Sequence, residues 1–100
     1  MIELHIYLEP QAGQESKLES LFREAFVPAI SVQEGFRRVA LLKVRDALRQ
    51  YRIELAFESE ALRLKWVASR EHEASFPRIA ALCQQVTWAG FDVVDQHPAR

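Results

Sequence analysis

Disulfides, basic tracts and long apolar runs are all missing from this chain. Its one cysteine, Cys83, has no partner within the sequence. That excludes a disulfide-stapled scaffold and favours a reducing compartment, with the cytoplasm as the default. Thirteen Lys and Arg stand against fourteen Asp and Glu, a formal charge of −1, and no basic block extends beyond Arg37-Arg38. A footprint for a phosphate backbone is lacking, so nucleic acid is not an expected partner. No apolar stretch approaches the ~20 residues of a membrane span. The start, Met1-Ile2-Glu3-Leu4-His5, has no basic segment followed by a continuous apolar one, so neither membrane insertion nor signal-peptide export is expected. The three histidines are scattered, and Glu71-His72-Glu73 lacks the i, i+4 ligand spacing of a helical site; no metal is expected. Repeats and low-complexity linkers are absent too. The 100 residues, 49% of them apolar, are therefore expected to form one domain over 1–100, with a frayed tail at 96–100.

What is present is periodicity. Ile2, Leu4, Ile6 and Leu8 alternate with Glu3, His5, Tyr7 and Glu9, the pattern of a half-buried strand. After Pro10 and Gly13, residues Leu18, Leu21, Phe22, Ala25 and Phe26 recur at helical spacing. Ser16 and Glu19 form a candidate capping box, and Pro28 should kink or stop the helix before Gly35 closes the segment. Phe36 to Arg45 reads as a second strand whose centre, Val39-Ala40-Leu41-Leu42, is apolar on both faces. Tyr51, Ile53, Leu55 and Phe57 alternate with Arg52, Glu54, Ala56 and Glu58 as a third strand. Ser59 is a candidate N-cap for a helix whose Leu62, Trp66 and Ser69 share a face, and Ser69 can cap the next turn. Pro77 places a break near Phe76 and a fresh helix carrying Ile79, Leu82, Cys83 and Val86. Thr87 to Val94 makes the last strand, with Gly90 marking a bulge or a close backbone approach.

The order is strand, helix, strand, strand, helical region, strand. Right-handed crossovers then place both helical segments on one face of a four-stranded antiparallel sheet, a ferredoxin-like α+β fold. The apolar faces of strands one and three lie under the helices. Their other faces carry Glu3, His5, Tyr7, Glu9, Arg52, Glu54 and Glu58, which meet either water or a polar complement. RNA-recognition modules share this topology, but Tyr51 to Phe57 exposes charges where those modules expose aromatics.

Gly35-Phe36 entering the second strand, the run Phe57-Glu58-Ser59-Glu60-Ala61-Leu62, and Trp66-Val67-Ala68-Ser69-Arg70-Glu71-His72 together resemble the antibiotic biosynthesis monooxygenase domain. The likeness extends from Ile2 to Val94. It implies a dimeric α/β barrel: a homodimer whose open sheet faces oppose each other, with a ligand cleft in each subunit between sheet and helices. Carboxylates and guanidinium groups would then pair across the interface and fix its register.

The resemblance also implies candidate site residues. His72 is the candidate base, since an imidazole titrates near neutrality and can take a proton from an acidic phenol or anthrone-type carbon, leaving an anion that reacts with dioxygen. No cofactor is then needed. Trp66, Leu62, Phe22 and Phe76 are the candidate substrate contacts, Trp66 offering an aromatic wall. Each has a plainer reading: Trp66 as core, His72 as an exposed or capping side chain, and Cys83 as a buried inert thiol. Leu62 stands where quinone-forming relatives carry an asparagine. The first strand lacks the asparagine of haem-degrading relatives, and Phe76 stands near their iron ligand, so haem breakdown is disfavoured. Two functions follow. One is a cofactor-independent monooxygenase for a small aromatic or polyketide-type substrate; the other is a non-catalytic, dimeric ligand-binding or accessory domain.

Overall fold

The structure is a computed structural model and describes residues 1–99. Four strands, β1 (Ile2–Pro10), β2 (Phe36–Lys43), β3 (Tyr51–Phe57) and β4 (Cys83–Asp92), form one sheet in the order β2-β3-β1-β4, with every neighbouring pair antiparallel. Helices α1 (Glu15–Leu21) and α2 (Val27–Ser31) connect β1 to β2, and α3 (Glu60–Val67) and α4 (Arg70–Ala80) connect β3 to β4. This is the ferredoxin-like α+β arrangement expected from the element order.

Alternation in the two central strands sets the layers. Ile2, Leu4, Ile6 and Leu8 face Phe57, Leu55, Ile53 and Tyr51 across the β1–β3 ladder, and all eight are buried beneath the helices. Leu18, Phe26, Ile30, Trp66 and Ile79 close the core from the helical side. A one-residue slip would turn all of β1's apolar side chains to the other face, so burial itself enforces the register. On that other face Glu3, His5 and Tyr7 pair with Ala56, Glu54 and Arg52, and an ionic net ties them together. Arg38 reaches Glu3 at 2.5 Å, His5 Nε2 lies 2.7 Å from Glu3 Oε1, Arg52 lies 3.2 Å from Glu54, and the Arg52 guanidinium sits 4.9 Å from the Tyr7 ring centre. The His5 hydrogen bond and the Arg38 charge hold the Glu3 carboxyl below the usual range, against the opposing effect of its own burial.

Four local expectations need correction. The Ser16–Glu19 capping box does not form: Gln14 is the N-cap, its carbonyl accepting from the Leu18 N–H. Ser16 therefore lies inside the helix, and Glu19 instead accepts the Tyr51 hydroxyl at 2.5 Å. Pro28 does not stop the first helix, because the turn before it, Phe22–Phe26, widens to a π-turn in which the Val27 N–H reaches the Phe22 carbonyl. Such a widened turn relieves the proline ring's clash with the carbonyl one turn back. Nor does Pro77 break the second helical region at Phe76. It lies within α4, near its end, where the loss of one hydrogen bond is tolerated. Leu82 then turns, its N–H bonding to the Ile79 carbonyl, and Cys83 begins β4, so Leu82, Cys83 and Val86 are not helical. Gly90 pairs regularly with Leu4, and a Cβ there would meet nothing nearer than 4.0 Å. The irregularity of β4 falls instead between the Glu9–Gln85 and Pro10–Cys83 pairs. In the tail, residues 93–99 form no regular element, while Arg100 lies outside the described residues.

Gly35 carries a tighter constraint. Its φ is +80°, and a Cβ would come within 2.4 Å of Leu62 Cδ1 and 3.1 Å of Leu62 Cβ. The entry to β2 is thereby pressed against α3. Gly35→Ala is expected to lower unfolding free energy by more than about 1 kcal/mol. Gly13→Ala, with φ +84° but open space around it, should cost less. Urea denaturation decides the comparison; equal losses at the two glycines would contradict the close approach.

Candidate functional site

The second helical region is built around two serines. Ser59 caps α3, its Oγ accepting the Leu62 N–H at 3.3 Å. Ser69 caps α4, its Oγ accepting the His72 N–H at 3.1 Å while its hydroxyl donates to the Trp66 carbonyl at 2.7 Å. Ser69 is thus the corner where α3 hands over to α4, and it fixes both Trp66 and His72 by their backbones. Their rings meet as a consequence. The His72 and Trp66 centroids are 4.8 Å apart at 78°, and Phe76, one turn on, is 5.5 Å from His72 at 31°. Phe26 completes the group from the first helix, edge-on to Trp66 at 5.6 Å and to Phe76 at 6.3 Å. Such edge contacts are the favoured geometry for aromatic quadrupoles.

Beside this cluster lies a cleft of about 310 Å³ between sheet and helices. Its floor is Leu4 and Ile6 of β1 with Trp88 of β4, the last paired opposite Ile6. Arg63, Leu64 and Val67 of α3 form one wall, and His72 and Phe76 of α4 the other. The lining is mostly apolar. Desolvation in these surroundings holds the His72 imidazole below its usual 6.5, partly offset by the Glu73 carboxylate. At neutral pH the ring is uncharged, and among the described residues neither of its nitrogens has a hydrogen-bond partner in the chain. A neutral imidazole keeps one nitrogen lone pair free to accept a hydrogen bond.

Of the five candidate site residues, His72 and Phe76 line this cleft. Trp66, only 2% exposed, stands behind His72 as its support. Leu62 packs at Gly35 rather than lining this space. Phe22 stacks on Phe26 at 5.8 Å but opens onto a different groove, of about 450 Å³, beside Arg23, Leu41 and Tyr51. Cys83 is half-buried with its thiol directed at the Ile79 carbonyl, and burial pushes the thiol's pKa up, which suits an inert side chain. Sequence reasoning missed Arg63 and Trp88. Arg63 is spaced i, i+3 before Trp66 and both are buried in α3, a signal present in the sequence but outweighed by the expectation that an arginine on a helix faces water.

Two other places were candidates for chemistry. A depression of about 270 Å³ on the opposite sheet face, beside Tyr7 and Arg52, has walls of mixed polarity and no histidine. Glu3, His5 and Glu54 present ligand atoms within 4.8 Å of one another, the one such group among the described residues. Both carboxylates are already paired with arginines, Glu3 with Arg38 and Glu54 with Arg52. Those two cations oppose the approach of a third.

The antibiotic biosynthesis monooxygenase family model matches residues 1–78. No curated protein matches the chain. Among solved structures the chain is similar to a variant of SnoaB, a cofactor-independent oxygenase from Streptomyces nogalater, with a TM-score of 0.86 at 17% identity, covering 98% of this chain and 97% of that one. It is similar to Rv0793 from Mycobacterium tuberculosis at TM-score 0.82 and 14% identity, covering 97% and 98% of the two chains. It also resembles an uncharacterized NIPSNAP domain protein from Burkholderia xenovorans, at TM-score 0.72 and 14% identity over 99% and 100% of the chains. At such identities the structural likeness establishes the fold alone.

Because the folded state resists protonating His72, the contribution of its neutral ring is complete above about pH 6.5 and is lost as pH falls through the lower folded midpoint. The carboxyls held below the usual range, Glu3 and Glu60, lose their contribution only in more acid solution. The drop in urea midpoint between about pH 7.5 and about pH 5 should therefore shrink in His72→Gln. An undiminished drop would mean that the imidazole is not desolvated.

Proposed function

The chain belongs to the antibiotic biosynthesis monooxygenase family, and from that premise we propose that it is a cofactor-independent monooxygenase taking a small aromatic or polyketide-type substrate into the cleft beside His72. One observation carries this reading: a neutral imidazole with unpartnered nitrogens on the wall of an otherwise apolar cleft. On an anthrone-type carbon, a ring nitrogen of His72 takes one C–H proton. The resulting enolate gives its electrons to dioxygen, the His72 imidazolium returns the proton to the peroxide anion, and the hydroperoxide so formed loses water to leave a quinone carbonyl. One oxygen atom of O₂ enters the product and the other leaves as water. The apolar floor of Leu4 and Ile6 holds the ring system. Trp66 is a positioning residue, keeping the imidazole turned toward the cleft through their edge contact.

We propose, further, that two copies associate through the open sheet face. That face mixes the ionic net with half-exposed apolar side chains, Phe91 lying 4.4 Å from the His5 ring and Leu42 opposite Arg52. Such a mixture is better covered than wet, and paired charges would set the register of the two copies. The alternative of a non-catalytic binding domain finds support in Leu62, an apolar side chain that packs at Gly35 and offers the cleft no polar group of its own.

Oxygen uptake with a panel of anthrones and hydroquinones separates the two readings. Turnover should rise with pH through a midpoint below 6.5 and fall by about 100-fold or more in His72→Ala. Unchanged rates in that variant would remove the base, and saturable binding without uptake would favour the binding domain. Sedimentation at micromolar concentration should give a dimer; a purely monomeric species would sink the proposed interface.

A further inference from the structure

Arg63 has no place in the chemistry described so far, yet it is 8% exposed on the wall of the cleft. Burying a guanidinium against apolar side chains is costly unless its donors are used. Glu60 uses two of the three nitrogens, accepting from Nε on one carboxylate oxygen and from Nη2, at 2.9 Å, on the other. This fork holds the guanidinium plane fixed. Among the described residues Nη1 has no acceptor in the chain. Of the other side chains along the cleft only His72 carries an acceptor, and among the described residues it makes no hydrogen bond to Nη1. Glu60 is half in solvent while Arg63 is not, so water screens the carboxylate more than the guanidinium. The side of the pair that faces the cleft is cationic.

We propose that Arg63 is the specificity-determining residue of this cleft, its free Nη1 edge receiving an anionic oxygen carried on the ligand's aromatic ring system: a carboxylate, a phenolate or an enolate. The assignment rests on the cleft being a ligand site. Within that site it names the ligand class: planar, apolar, and bearing a ring-attached oxygen that is ionised on binding or becomes so when His72 removes a proton. A fixed donor aimed at developing negative charge favours the ionised form over its neutral parent. The bland alternative is a helix-surface pair, Glu60 and Arg63 at i, i+3, with no concern for ligand.

Calorimetric titration of the full chain with 2-naphthoate and with 2-naphthamide, equal in shape and different in charge, tests it at neutral pH. The wild type should bind naphthoate about tenfold more tightly than naphthamide. Arg63→Met should abolish the preference while leaving naphthamide affinity within about threefold, and His72→Gln should keep the preference, because the imidazole is neutral there. In the wild type, the guanidinium nitrogen NMR signals of Arg63 should move with naphthoate and not with naphthamide, a readout that does not depend on Arg63→Met folding. Equal binding of the two ligands, a preference that survives Arg63→Met, or unmoved Arg63 signals would overturn the assignment and leave the cleft standing as an apolar site. Failure of both ligands to bind would overturn the cleft reading, and Arg63's part with it.

Discussion

The constraint on which this molecule depends is the one-sided roofing of a sheet whose central strands alternate in step. Leu4 and Leu55, then Ile6 and Ile53, stand opposite one another across the β1–β3 ladder, so the apolar rungs coincide and only one face can be buried. Fully burying side chains of this size contributes on the order of 1.5 to 3 kcal/mol each, far more than an exposed ion pair on the reverse face. Hydrophobic burial therefore decides which face the helices take. The cleft follows from the same geometry. Leu4 and Ile6 pack under the helices along most of the sheet, but toward the edge strand β4 the cover thins and Trp88 is left 66% exposed. The edge of the roof is where the cleft lies.

A second, smaller device shapes that edge. Ser69 joins α3 to α4 with one hydroxyl, and the Trp66 and His72 rings are placed by backbone atoms it holds. Trp66 in turn is wedged by Phe26, so the first helix braces the imidazole through two aromatic contacts. The low-dielectric surroundings that favour neutral His72 would also strengthen any hydrogen bond that Arg63 makes to a ligand. Opposite groups, an uncharged imidazole and a guanidinium, coexist there: Glu60 accepts two hydrogen bonds from the guanidinium, whereas only the Glu73 carboxylate favours an imidazolium at His72, and desolvation outweighs it.

Much of this was legible in the residues. The alternation of Ile2 to Leu8 and Tyr51 to Phe57 fixed both central strands and their buried faces, and Ser59 and Ser69 marked the helix starts they do cap. Proline misled at Phe76, because a single missing hydrogen bond near the end of a helix is a smaller penalty than in its middle. Ile79, Leu82, Cys83 and Val86 matched a helical spacing by coincidence, on a segment that the β1 edge recruits as a strand from Cys83 onward. Pairing with a neighbour is not written in local periodicity. For the site, His72 and Phe76 were found together. The isolation of Phe22 and Leu62 from them depends on helix rotation, and Arg63 was hidden by its charge.

All of the proposed chemistry requires that His72 be neutral because it is desolvated. The most direct measurement is an NMR pH titration of the His72 ring carbon and proton signals in the full chain, assigned by loss of those signals in His72→Gln. A midpoint below 6.5, moving further down when an apolar aromatic ligand fills the cleft and removes more water, is the expected result. A midpoint at or above 6.5, indifferent to ligand, would place the imidazole in solvent and contradict the reading of this cleft as a site for proton abstraction.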